Sequence, residues 1–381
     1  MKPRKRLLGV ARRTAAAAAV AAVAVAVLPF TSLGHPADAA AAKKSGTAPA
    51  PAVHHVFVVN LENKGYDETF GPGSPAPYLS QTLRSQGMLL SQYYGTAHNS
   101  LPNYLAQISG QGPDSQTQGD CQVYSDFVQT GTVAPDQAVG NGCVYPTSVK
   151  TVADQLEAQG LTWKGYMEDM GMPCRHPQPN TADDTRQAEV GDQYAARHNP
   201  FVYFKSITSS PSCAANDVDL SELQGDLSSA ATTPNLSYIT PNLCNDGHDS
   251  PCVDGRPGGL ATADEWLRTW IPKILASPAF KQNGLLVVTF DEADTESPDG
   301  AAACCGEGPG PNAPLPGIYG PGGGRTGAVV VSPFVTPGSF NDTGYNHYSL
   351  LRTIEDTFGL SPLGYAQNAR GFGADVYGVK K

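Results

Sequence analysis

Charged residues are scarce in this 381-residue chain: Asp, Glu, Lys and Arg together make up 16% of it, against roughly a quarter in an average domain. Basic residues thin out further after the first forty positions. Six Lys/Arg and one Asp lie there, so 25 basic and 35 acidic residues become 19 and 34, a balance of −15. A surface this acidic excludes a broad nucleic-acid partner. No repeat of 20 to 50 residues recurs, no second low-complexity linker follows about residue 52, and none of the eight cysteines is spaced C-x-x-C. Repeat architectures are therefore set aside, a single domain over residues 53–381 is favoured, and the commonest cysteine metal and redox motifs are missing. What is abundant is Gly (41) and Pro (32), which demand many turns. A hydrophobic share of 40% is enough for a large core and excludes wholesale disorder and a collagen-like repeat.

The basic residues that do cluster are Lys2, Arg4, Lys5, Arg6, Arg12 and Arg13, ahead of an uncharged Ala/Val/Leu run from Ala15 to Leu28. As a helix that run reaches only about 21 Å, short of the roughly 30 Å hydrocarbon core. Ala37-Asp38-Ala39 follows as a small-residue cleavage site, so residues 1–40 read as a secretory signal peptide and not as an integral membrane anchor. Arg12-Arg13 hints at twin-arginine export, but Thr14-Ala15 lacks the apolar residues expected after the pair. Residues 41–52, rich in Ala, Lys, Gly, Ser, Thr and Pro, form a flexible lead-in. Export places the cysteines in an oxidising compartment, where disulfides are favoured over metal binding. Short separations favour Cys121–Cys143, Cys174–Cys213 and Cys244–Cys252, which leaves Cys304–Cys305 as a vicinal pair.

Beyond the lead-in, short apolar runs alternate with helical patterns. Val56–Asn60, Leu236–Thr240, Leu285–Phe290 and Ala328–Val331 are expected as strands buried on both faces of a mainly parallel sheet. Val149, Val152 and Leu156 repeat at helical spacing and stop at Gly160. Thr262 to Glu265 reads as a capping box opening a helix through Trp266, Trp270 and Leu275, and Tyr348 to Phe358 forms a helix ended by Gly359. The expected class is α/β, with helices on both faces of the sheet. Ligands bind such sheets beyond the carboxyl ends of the strands. Glu62-Asn63, Asp246 with His248, and Asp291-Glu292 all fall there. Ser100 lies at or beside the N-cap of a helix that runs to Gly110, with Pro102 in its first turn. Free backbone N–H groups at such an end attract phosphate, and they favour a serine alkoxide if a metal also binds the oxygen. Simple capping is the structural alternative for Ser100. His54, His176 and His198 are read as structural.

Residues 55–71 (HVFVVNLENKGYDETFG), 98–110 (HNSLPNYLAQISG), 238–249 (YITPNLCNDGHD), 288–294 (VTFDEAD) and 347–360 (HYSLLRTIEDTFGL) resemble, in order, the blocks of the bacterial phosphoesterase family. That family unites secreted acid phosphatases with phospholipases C, and the short chain looks closest to the small acid phosphatases. The resemblance implies an alkaline-phosphatase-like α/β fold. It also implies one divalent metal held by Glu62, Asn63, Ser100, Asp291 and Glu292, with Ser100 as nucleophile. The late pair is Asp-Glu here, where members can carry Asp-Asp. Oxygen ligands suit Mg²⁺, Ca²⁺ or Mn²⁺. His248 and His347 take the positions of histidines that contact phosphate or protonate the leaving group, and His98 and Asn103 are expected at the substrate. The function so implied is a secreted acid phosphatase acting on a phosphorylated small molecule or a phosphoinositide-type substrate through a phosphoserine intermediate. A phospholipase C would need an apolar lipid-binding surface, and no amphipathic membrane-binding stretch is evident. A noncatalytic secreted binding protein on the same fold would more often have lost Ser100, Glu62 or Asp291.

Overall fold

The computed structural model describes residues 52–378. The signal segment and nearly all of the lead-in lie outside the described residues. Eight strands form one sheet: β1 (His55–Leu61), β2 (Met88–Leu90), β3 (Trp163–Met167), β4 (Asp217–Asp219), β5 (Leu236–Thr240), β6 (Gly284–Phe290), β7 (Ala328–Val331) and β8 (Ser339–Asn341). Their order is β8-β2-β7-β6-β1-β5-β3-β4. Only β7 runs against its neighbours, pairing antiparallel with both β2 and β6, so the expected mainly parallel sheet is present. All four apolar runs of the sequence are strands. The remaining strands were not anticipated: β2, β4 and β8 are only three residues long, and β3 carries a lysine and a glycine within WKGYM.

The central strands are apolar at nearly every position because both faces are covered. On one face, Val56, Val58, Leu285 and Val287 share a core with α1 (Ser100–Ser109), α2 (Val152–Ala158) and α4 (His347–Phe358). On the other, Phe57, Val59, Leu286 and Val288 pack with Leu260, Trp266, Leu267 and Ile271 of α3 (Gly259–Ala276). Each such side chain contributes roughly 1.5–3 kcal/mol by leaving water.

The helix ends are set by local chemistry. Thr151 and Asp154 form a reciprocal capping box at α2, and Asn346 caps α4 by accepting from the Ser349 N–H. Gly359 closes α4 at φ 67°, a conformation open to glycine at little steric cost. The expected opening of α3 at Thr262 is corrected. That helix begins a turn earlier, and the Thr262 hydroxyl donates back to the Gly258 carbonyl instead of capping. Three of the four disulfides are those that the short separations favour, and the fourth is the vicinal pair left over, Cys304–Cys305. Among the described residues no helix is long and apolar enough to cross a membrane.

Candidate functional site

In-register pairing of β1 with β6 sets Leu61 beside Phe290, so the residues that follow, Glu62 and Asp291, emerge together at one sheet edge. The Asp291 N–H donates to the Leu61 carbonyl, and the Glu62 N–H donates to the Asp246 carbonyl at 2.9 Å, which draws in the loop after β5. Three acids far apart in sequence therefore meet at the carboxyl end of three adjacent parallel strands. Asn63 takes φ 53°, a left-handed conformation that Asn tolerates better than most residues. Its backbone N–H donates to Asp291 Oδ1 at 3.0 Å, and its amide donates to Glu62 Oε2 at 2.8 Å.

Ser100 is the first residue of α1, directly after Asn99 at the N-cap. Its hydroxyl caps nothing; it donates to Glu62 Oε2 at 2.9 Å. At the helix start it is Asp120 that accepts an N–H, its Oδ1 taking the Leu101 N–H at 3.0 Å. Tyr104, one turn further along, donates its phenol to Glu62 Oε1 at 3.0 Å. The loop before Ser100 passes close behind the acids. A Cβ on Gly95 would lie 2.7 Å from the Asp291 carbonyl oxygen and 3.0 Å from that of Gly323, so glycine is required there for the approach.

Glu62, Asn63, His98, Ser100, His248 and Glu292 line one cavity of about 410 Å³, together with Lys64, Asp120 and Arg197. The other sequence-derived candidates stand elsewhere. Asp291 is fully buried beside Glu62. His347 is also fully buried, with one ring nitrogen against the Asp291 carbonyl and the other 3.1 Å from the Tyr93 hydroxyl, so it supports the acid from behind and does not open to the cavity. Asn103 is turned into the loop, where its Oδ1 accepts from the Thr96 and Ala97 N–H groups and its amide donates to the Ala97 and Asn99 carbonyls. Asn103 staples the segment that presents Ser100. Glu292 lines the cavity, but its carboxylate contacts His98 Nδ1, while His98 Nε2 meets the Gly300 carbonyl at 2.6 Å.

His198, read from sequence as structural, stands between two of the acids. Its Nε2 lies 3.1 Å from Glu62 Oε1 and its Nδ1 3.5 Å from Asp246 Oδ2, and its ring stacks on Tyr104 at 5.2 Å. His198 and Arg197 come from a short turn, Ala196–His198, with no motif of its own. Asp120 comes from a loop twenty residues after Ser100. The polar run Arg197-His198-Asn199 within an otherwise apolar stretch (YAARHNPFVYF) is the signal that could have marked Arg197 and His198.

Burial, and then the charge of Asp291, push the Glu62 carboxyl well above the usual range. Burial raises Asp291 to about 7. Two adjacent buried carboxylates are costly to ionise together without a cation. Asp291 Oδ2 is buried and has no hydrogen-bond partner. That unpartnered oxygen, an all-oxygen donor set of carboxylates, amide and hydroxyl, and the crowded negative charge fit a hard divalent ion. The three other clusters of potential ligands among the described residues are each built on a disulfide, whose sulfurs are already bonded. His248 differs from the buried histidines. Its side chain is half exposed, and its hydrogen bond with Asp249 at 3.0 Å raises its pKa above the ordinary value. Burial pushes His347 down to about 4 and also lowers His98 and His198.

Residues 74–361 match the Phosphoesterase family, and the chain belongs to it. The chain is similar to an acid phosphatase of Aspergillus fumigatus, with 27% identity over 315 residues, which is 82% of this chain and 56% of that protein. It is also similar to a phosphatidylinositol-3-phosphatase of Mycobacterium tuberculosis, with 27% identity over 319 residues, 84% of this chain and 81% of that one. The chain thus spans little more than half the length of the Aspergillus relative. A solved structure of an alkaline phosphatase superfamily protein from Vibrio parahaemolyticus superposes with a TM-score of 0.47 at 13% identity, covering 84% of this chain and 69% of that one.

Proposed function

We propose that this member of the phosphoesterase family is a secreted hydrolase of phosphoric monoesters, an acid phosphatase, whose domain spans residues 53–381 and whose nucleophile is Ser100. One observation carries the reading: the Ser100 hydroxyl, at the start of a helix and open to a polar cavity, aims its proton at Glu62 beside the buried Asp291. Membership of the family and the likeness to acid phosphatases support the same chemistry.

Glu62, Asn63, Ser100 and Asp291 would hold one divalent ion, of which Mg²⁺, Ca²⁺ and Mn²⁺ suit the oxygen donors. When bound, it would lower the pKa of the serine hydroxyl and offset phosphoryl charge. Glu62 orients the hydroxyl through the 2.9 Å hydrogen bond, and Tyr104 and Asn63 hold Glu62 in turn. Ser100 Oγ attacks phosphorus as its proton leaves along the hydrogen bond to Glu62, the bond from phosphorus to the ester oxygen breaks, and water then hydrolyses the phosphoserine, with a proton returned to Ser100 Oγ. His248, half exposed on the cavity wall and with its pKa raised by its hydrogen bond to Asp249, would give the departing oxygen its proton. His347 and Asn103 take positioning roles, the first behind Asp291 and the second beneath the Ser100 loop. Glu292 acts on His98 and not as a direct ligand.

The test is hydrolysis of a chromogenic phosphate monoester, a phosphocholine diester and a phosphoinositide, measured side by side for wild type and Ser100→Ala. Wild type should turn over the monoester, acid quench should trap phosphate on the Ser100 peptide, and Ser100→Ala should lose at least about 10³-fold in kcat. Preference for the diester would favour a phospholipase C. A Ser100→Ala enzyme that keeps most of its rate would refute the assignment. Since Ser100 is no cap, the variant should fold as wild type does.

A further inference from the structure

Nine arginines lie among the described residues, and Arg197 is matched unlike any other. Arg175, Arg256, Arg268, Arg325, Arg352 and Arg370 each pair with an aspartate within 4.0 Å. Arg84 and Arg186 are exposed, where water solvates a lone guanidinium at no cost. Arg197 is partly buried, lines the same cavity as Ser100 and His248, and forms no ion pair. Its single protein hydrogen bond runs from Nη1 to the Arg186 carbonyl at 3.0 Å, which anchors one corner of the fork. None of its remaining N–H groups is buried without a partner, and the residue forms part of the cavity wall. The carboxylates of Asp120, Glu62, Asp246 and Asp183 surround it at longer range and favour its place there without occupying its donors.

A cation withdrawn partly from water and left without a partner is costly unless an anion completes it. The planar fork of arginine matches two oxygens of one phosphate. The other lysine or arginine on the cavity wall, Lys64, is engaged 3.6 Å from Glu68 and offers a point charge instead. We infer that Arg197 binds the non-bridging oxygens of the substrate phosphate in the Ser100 cavity, with its anchored Nη1 corner setting the angle of the fork. This rests on the phosphomonoesterase reading above. Arg197 is then a catalytic residue supplied by the turn that also delivers His198. The competing role is internal, a counter-charge to Asp120 at the head of α1.

The experiment compares metal-loaded wild type, Arg197→Gln, Arg197→Lys and the double variant Arg197→Gln/Asp120→Asn. The probe is inorganic phosphate, read as a competitive inhibition constant and, independently of turnover, as the rise in Tm that it produces. Arg197→Gln should weaken phosphate by at least about tenfold and lower kcat/KM for a monoester by roughly 10²-fold or more. Arg197→Lys should restore part of both, and Asp120→Asn should restore neither. Unchanged phosphate inhibition and protection in a folded Arg197→Gln or Arg197→Lys would overturn the inference, as would recovery of phosphate binding in the double variant. Should Arg197→Gln fail to fold, Arg197→Lys decides: phosphate binding equal to wild type, or activity altered with phosphate binding intact, counts against it. Failure of wild type to hydrolyse monoesters would instead remove the reading beneath it.

Discussion

Glu62 and Asp291 are buried acids, and so are Asp217 and Glu355, yet the two pairs live in different surroundings. Asp217 accepts one hydrogen bond from the Asn199 amide at 2.8 Å, and burial raises it to about 7. Glu355 accepts the Leu363 N–H at 2.7 Å and is pushed up by burial to about 8. Each stands alone and can simply keep its proton. Glu62 lines a cavity with Asp291 buried directly beside it, and a serine hydroxyl and an amide both donate to one Glu62 oxygen. Burial by itself therefore does not mark a functional acid; what separates the two cases is a second carboxylate beside the first, so that both can be charged together only with a cation. The histidines divide in the same way. His347 is enclosed and neutral above about pH 4, whereas His248 is open to the cavity and its proton is held by Asp249.

The sharpest way to break the comparison is Asp291→Asn beside Asp217→Asn. Asp291→Asn keeps the size of the side chain but removes a ligand charge, so metal affinity should fall about 10- to 100-fold and excess metal should partly restore hydrolysis. Asp217→Asn should leave the metal titration where it is in wild type. Superimposable activity curves against metal concentration for wild type and Asp291→Asn would remove Asp291 from the ligand set. Chelation should likewise lower the Tm of wild type, because the two acids then repel without compensation, and should have little effect on Asp291→Asn.

A smaller effect sharpens the histidine contrast. Hydrogen bonding to Asp249 is the leading cause of the raised His248 pKa, so Asp249→Asn should lower it. If protonated His248 is the acid, the alkaline limb of the pH profile of kcat/KM moves to lower pH in Asp249→Asn, with less change for esters whose leaving group needs no proton. An alkaline limb that stays in place would assign the proton to another group.

The smallest effect concerns stability. The folded pKa of Glu355 is about 8 against an ordinary 4.5, so its contribution is fully present below pH 4.5 and is lost as pH rises toward 8. Glu355→Gln keeps an acceptor for the Leu363 N–H and cannot ionise. Relative to wild type it should therefore gain about 2 to 4 °C in Tm at pH 8.5 and little at pH 4.5. Equal shifts at both pH values would mean that burial of the charge is not the cause.

The strands were legible because a strand covered on both faces must be apolar at almost every position, and the runs in β1, β5, β6 and β7 are. Acids directly after such runs, Glu62 and Asp291, and Asp246 a few residues beyond Thr240, could be placed at one sheet edge for the same reason, and all three are there. The antiparallel sense of β7 has no signature in AVVV, since direction is fixed by the connection and not by the run. Asn103 and His347 sit in blocks beside Ser100 and the acids, yet both are turned inward, because hydrogen-bond demand in the loop and behind Asp291 claims their polar atoms. Arg197, His198 and Asp120 gave no readable spacing, since they reach the site from irregular segments whose position depends on the whole fold.

The sequence by itself carried the α/β class, the three short-range cysteine pairs and the acids that follow apolar strands, since these follow from period, separation and position, while Ser100 was singled out by its place in a block that resembles the phosphoesterase family. Only the tertiary structure decided which polar groups face the cavity and which are spent on the protein's own backbone. That choice depends on hydrogen-bond partners that the fold brings in, two of them far away in the chain: Gly300 for His98 and Tyr93 for His347, with Arg186 for Arg197. A buried polar atom must be satisfied wherever the fold places it, and only the folded chain determines whether that partner is the protein itself or a ligand in the cavity.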